Sequence, residues 1–186
     1  MVDQMTLQTI GILLTAVTVS IAAIYYTLTL SYTRRNQELQ METRRIQAFM
    51  ELTSELLTDE SLIQIMELYQ MDWEDFDDFE RKYGSDRNLE NFGKRYSKWY
   101  FYNRIGWLLH EEAIDIATVD AITAQFALWM WDKFESIIVK QREVFNLPDF
   151  LIWFEYLVKE LQRYREERGI STEVHKGYGS YPAQNP

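Results

Sequence analysis

The chain has 186 residues, no cysteine, three prolines, seven glycines, 15% aromatic residues and a formal net charge of −10. Without cysteine there are no disulfides, iron–sulfur clusters, Cys-based zinc sites or thiol catalysis, and nothing requires an oxidising compartment. The acidic balance argues against nucleic acid as a partner, because phosphate binding wants a basic surface, and against lying flat on anionic lipid.

Few breakers and no run of alternating apolar and polar residues predict an all-α chain. From Gln4 to Thr33 there is no charged residue, and the apolar centre from Ile10 to Leu30 is close to the ~20 residues that cross a hydrocarbon core. Tyr25, Tyr26 and Tyr32 mark one end, followed at once by Arg34 and Arg35. By the positive-inside rule these arginines anchor the topology: residues 1–33 form an N-terminal segment and single transmembrane helix, the N-terminus faces out, and the rest of the chain is cytosolic. The competing reading is a cleaved signal peptide, for which Ser20-Ile21-Ala22 is a passable site but a positive n-region is missing. Gly11, Thr15, Thr18 and Ala22 recur at spacings of four, three and four, so they form one stripe of small side chains on the helix. Such a stripe lets another membrane helix approach, and the threonine hydroxyls can bond across the contact.

Residues 34–57 read as a helical stalk continuing the membrane helix into a rod of about 70 Å, with Leu39, Ile46, Phe49, Leu52 and Leu56 as its apolar stripe. Residues 58–169 read as an antiparallel helical bundle. Ser61 is the expected cap of its first helix, and a bend near Met71 and Asp72 leads to a short amphipathic piece carrying Trp73, Phe76, Phe79 and Tyr83. Gly84-Ser85-Asp86 reads as a loop, Leu89–Glu112 as a helix, and Asp115 or Thr118 as the start of the longest soluble helix, ending near Phe145. Trp129 and Trp131 are nearly opposite on that helix, so one of them is expected at the surface. Leu147-Pro148-Asp149 opens the last helix, which ends at Arg168-Gly169, and residues 170–186 form a polar tail.

Chemistry-bearing residues are sparse. The only histidines are His110 and His175, and neither has Glu three residues before it, so a di-iron bundle or a His/carboxylate zinc site lacks ligands. No catalytic, cofactor-binding or metal residue is assigned, and no cofactor is expected. His110 beside Glu111 and Glu112, among Trp99, Trp107 and Trp153, leaves a helical enzyme or cofactor carrier as an alternative; a histidine at a helix C-terminus and aromatics in a core explain the same residues. Neither a Gly-rich phosphate loop nor a Gly-x-Ser-x-Gly elbow is present.

Charge is segregated along the chain. Between Ile46 and Glu80 there are eleven acidic residues and no Lys or Arg, whereas Arg81–Arg104 holds seven basic and two acidic. The dense acidic part is Asp72, Glu74, Asp75, Asp77, Asp78 and Glu80, a candidate partner surface. A solvated helix face, a meeting of the acidic and basic stretches within or between chains, and divalent-cation binding are the three readings of it. An EF-hand is not among them, because the sixth position counted from Asp72 is Asp77 rather than Gly.

The block from Tyr102 to Glu143, with Asn103-x-x-Gly106, a short acidic loop, Ile114-Asp115 and a helix with a central Trp, resembles an uncharacterised family of small prokaryotic membrane-anchored proteins with a helical domain of unknown function. The resemblance implies fold and topology and supplies no catalytic residues. The expected partners are therefore the lipid bilayer and other membrane protein subunits or copies of the chain. The expected role is a non-catalytic accessory subunit or oligomeric scaffold, with a membrane signalling stalk as a further alternative.

Overall fold

The computed structural model describes residues 3–172 and is helical, with no strand among them. The chain divides into two units, Met1–Gln47 and Ala48–Pro186. The tail residues 173–186, with His175, lie outside the described residues.

The first unit is the greater part of α1 (Gln4–Ser54), a helix with one stretch long and apolar enough to cross a membrane. The large apolar side chains from Leu7 to Leu30 are exposed, as are Arg34 and Arg35. A helix of this length with such an uncovered apolar surface is what a bilayer requires, since all its backbone groups bond internally.

The second unit is a helical bundle made of the last residues of α1, a 3-10 turn (Glu55–Leu57), α2 (Asp59–Tyr69), α3 (Phe76–Tyr83), α4 (Leu89–His110), α5 (Ile116–Val144) and α6 (Ile152–Glu166). Phe49, Thr53 and Leu56 are buried in it. Residues 48–57, expected as stalk, are thus part of the bundle, because Phe49 and Leu56 need a core to enter. Leu39 and Ile46 remain exposed.

Local chemistry explains most helix starts. Asp75, Asn88 and Asp115 cap α3, α4 and α5, each accepting the N–H three residues on. Thr58 rather than Ser61 caps α2: its hydroxyl accepts the Ser61 N–H, which frees the Ser61 hydroxyl for a contact inside the bundle. The last helix starts at Ile152, later than expected. Residues 147–151 form a turn in which Phe150 N–H reaches the Leu147 carbonyl, and Leu151 takes a left-handed backbone at φ 57°.

Ion pairs and ring contacts give the helix directions. α2 runs antiparallel to α4, with Ser61 meeting Lys98 and Glu67 meeting Lys94. α5 runs antiparallel to α6, with Asp120 meeting Arg165 and Arg142 meeting Glu155. α4 and α6 therefore lie parallel, with Tyr96 near Phe150 and Tyr102 stacked on Phe154. α5 is central, as its wide apolar stripe predicts. Trp129 and Trp131 are both buried, 3% and 6% exposed, so neither is the surface tryptophan expected; α5 has neighbours on more than one side.

Candidate functional site

On the first unit, a shallow groove follows α1 along Gln8, Gly11, Ile12, Thr15, Ala16 and Val19. Gly11 and Thr15 of the small-residue stripe line it; Thr18 and Ala22 lie beside it. A side chain at Gly11 would meet nothing within 4 Å, so no part of the described chain requires glycine there. The hydroxyls of Thr15 and Thr18 donate to the carbonyls of Gly11 (2.9 Å) and Leu14 (2.8 Å). Their protons are therefore used within the helix. What the groove offers a second helix is close approach and acceptor lone pairs rather than free donors.

On the second unit, the six acidic residues separate into two groups. Asp72, Glu74, Asp75 and Asp77 are exposed. Asp78 is 5% exposed and tied down from three directions: it accepts from the Glu74 N–H (3.1 Å), pairs with Lys82 (2.7 Å) and pairs with Arg81. The Lys82 ammonium, then the Glu74 N–H, hold its carboxyl below the usual carboxylate range against the opposing effect of burial. Asp75 is the cap of α3, and Glu80 accepts from Gln141 of α5 at 3.1 Å. No group of three or more metal-ligating side chains converges among the described residues.

The basic stretch folds back onto this acidic one. Lys94 is shared by Glu67 (2.8 Å) and Glu90 (2.7 Å), which raise its pKa. Arg95 is 1% exposed and its guanidinium lies over Phe79 (4.6 Å) and Trp99 (5.2 Å), donating to Asn91 Oδ1 (2.6 Å) and the Tyr83 carbonyl (3.1 Å). Burial pushes it down to about 10. Lys133 sits over Trp73 (4.7 Å) and donates to the Met71 carbonyl. The charge segregation seen along the chain thus closes in part within it, at Glu67 with Lys94 and at Asp78 with Lys82 and Arg81. Arg95 of α4 and Lys133 of α5 hold the acidic segment to those two helices as cations lying on aromatic faces, an arrangement that tolerates burial because the rings and carbonyls replace part of the lost hydration.

Ser61 Oγ accepts from Lys98 Nζ at 2.6 Å, which sets a hydroxyl beside an amine between α2 and α4. Spacing in the sequence gives no hint of it, since 37 residues separate the two. Both are buried, 4% and 8% exposed. Its chemistry is that of a buried ammonium receiving an oxygen partner.

His110 is exposed at the end of α4, where the helix dipole favours it, and its ring packs on Trp153 (4.5 Å) and Tyr156 (5.4 Å). Within the hydrophobic core Trp99 meets Phe134 and Phe150, and Trp131 meets Phe154. The cleft beneath Tyr69, Phe126 and Trp129 holds about 10 Å³, room for about one water molecule at most.

Comparison of the chain with models of known protein families, with curated proteins and with solved structures finds no match.

Proposed function

We propose that this chain is a non-catalytic, single-pass membrane protein that works through protein–protein contacts, as an accessory subunit of a membrane complex or as a homo-oligomeric scaffold. The observation that carries the reading is the uncovered apolar stretch of α1, grooved at Gly11 and Thr15, on a chain whose other unit is a filled aromatic bundle. Arg34 and Arg35 directly after the apolar stretch support an orientation with the N-terminus outside and the bundle in the cytosol. The exposed Asp72, Glu74, Asp75 and Asp77 offer a cytosolic or subunit partner an acidic surface. The resemblance of Tyr102–Glu143 to small membrane-anchored prokaryotic proteins points the same way.

The test is the native mass of the complex extracted gently from its own membrane, with every component identified. Other proteins in fixed ratio mark an accessory subunit; this chain alone in a defined multiple marks a scaffold; a lone monomer overturns the proposal. Gly11→Leu with Thr15→Leu should weaken assembly through α1, and unchanged assembly would remove the groove from the argument.

A further inference from the structure

The second unit exposes an aromatic stripe along α4 that the fold leaves uncovered. Leu89, Gly93, Tyr100 and Trp107 lie within about 40° of one another at 3.6 residues per turn. Leu89 is 72%, Tyr100 51% and Trp107 46% exposed, and Gly93 is exposed too. Gly93 is the informative member. Glycine is a poor residue for a helix interior, and the other glycine of α4, Gly106, has an internal reason to be there: a Cβ on it would meet the Trp153 carbonyl oxygen at 1.8 Å. A Cβ on Gly93 would meet nothing within 4 Å, so nothing in the described chain calls for glycine at that position. A gap between exposed large side chains on one helix face is a hole of the kind into which a knob from a facing helix packs.

Charge on the same helix selects what supplies the knob. Glu90, exposed toward the start of α4, shares Lys94 with Glu67, so its charge is only partly met. Arg104, exposed toward its end, has no ion-pair partner among the described residues. If two α4 helices cross antiparallel with their mid-point near Tyr96 and Ser97, Tyr100 of each copy faces Gly93 of the other, and Glu90 of each faces Arg104 of the other. Both pairings occur twice by symmetry, which is the self-complementarity of a two-fold interface. A parallel crossing would set Glu90 level with Glu90 and Arg104 level with Arg104, on opposite flanks of the seam, so these opposite charges would not meet. We infer that α4 is a dimerisation face and that its occupant is a second copy of this chain, docked antiparallel, Tyr100 into Gly93. One helix crossing is small for a free dimer, and a shared bilayer supplies the effective concentration that it needs. The inference rests on the proposed function for that anchor and narrows it to self-association.

The test uses the full-length chain in liposomes. There is no native cysteine, so single cysteines at Ser97, Leu89, Trp107 and, as a control on α2, the 59% exposed Ile63 report position cleanly with a short bis-maleimide. Around an axis near Ser97, the two Leu89 positions are separated by about 22 Å along the helices and the two Trp107 positions by about 31 Å. Cross-linked dimer is expected at Ser97→Cys and at background level in the other three. Gly93→Gln in the Ser97→Cys chain should cut the yield about tenfold without lowering the melting temperature. Glu90→Arg should also cut it, and adding Arg104→Glu to the same chain should restore it. Equal yields at all four positions, or a yield at Leu89 above that at Ser97, overturn the inference. A flat pattern together with a multimeric native mass leaves the proposed function standing, whereas a monomeric native mass in the same membranes removes both.

Discussion

The side-chain carbonyl of Asn103 accepts hydrogen bonds from the backbone N–H groups of both Trp153 (3.1 Å) and Phe154 (3.2 Å). The first turn of a helix leaves N–H groups without intrahelical partners. In α6 the residue before the helix, Leu151, has no side-chain oxygen to offer and sits in a left-handed conformation. The cap is therefore lent by α4, across the interface, and it fixes where α6 can begin. Asn103→Ala should lower unfolding free energy by about 1 kcal/mol, because the Trp153 N–H loses its acceptor while the Phe154 N–H keeps the Leu151 carbonyl. Asn103→Asp keeps the acceptor and adds a negative charge at the positive end of the helix, so it should recover most of that loss. Equilibrium denaturation of the three proteins separates the cases; equal loss in both variants would mean that the amide's own N–H groups matter more than its carbonyl.

One turn along α4, Gly106 lets the Trp153 carbonyl come close enough for the cap to work. Its two neighbours make the sign of a substitution plain. A Cβ would meet the Trp153 oxygen at 1.8 Å and the Leu157 Cβ at 3.1 Å, and a helix backbone cannot give way as a flexible side-chain end can. Gly106→Ala should destabilise by about 3 kcal/mol or more, at the high end of overpacking effects. Gly93→Ala, in the same helix but with open space around it, should stabilise the fold by about 1 kcal/mol. Opposite signs from one substitution type in one helix can be read directly from two melting curves.

The pattern Asn103-x-x-Gly106 is visible in the sequence as a pattern, yet its reason is not, because the partner backbone lies about fifty residues away. The same division runs through the molecule. Helices announce themselves by periodicity and by local caps such as Asp75 and Asp115, whose partners are three residues on. What periodicity cannot show is which polar groups long-range packing will consume. Asp78 reads as one of six surface acids and is buried; Ser61 reads as a cap and instead meets Lys98; Trp129 and Trp131 lie on opposing faces of α5 and both find cover. That Gly11, Thr15, Thr18 and Ala22 share one face of α1 follows from their spacing alone, because it depends on nothing beyond that helix.

Tyr102 is fully buried, and its hydroxyl has no hydrogen-bond partner among the described residues. Its ring stacks on Phe154 at 5.1 Å, while desolvation pushes the phenol pKa up. A buried hydroxyl without a partner forfeits its hydration and gains nothing in return. Tyr102→Phe keeps the stacking and removes the hydroxyl, so it should stabilise the fold by about 1 kcal/mol. A loss of similar size, by chemical denaturation, would show that the hydroxyl has a partner after all, an ordered water being the natural one.

Asp78 ties the acidic segment to α3, and its titration gives that tie a pH signature. Its carboxyl is held below the 3.8 of an unperturbed aspartate by Lys82, the Glu74 N–H and Arg81. A folded-state pKa below the unfolded one means that the unfolded chain binds the proton more readily. The contribution to stability is therefore complete above about pH 5 and is lost as the pH falls through 3.8 toward the folded value. Asp78→Asn removes this titration. The melting temperature of the variant should lie below that of the parent at pH 7, and the gap should shrink steadily as the pH is lowered from 4 toward 2. Asp115 and Glu155, whose carboxyls are also held low, remain in both proteins and cancel from the difference. A gap that stays constant over that range would mean that Asp78 is protonated in the fold or serves only by its shape.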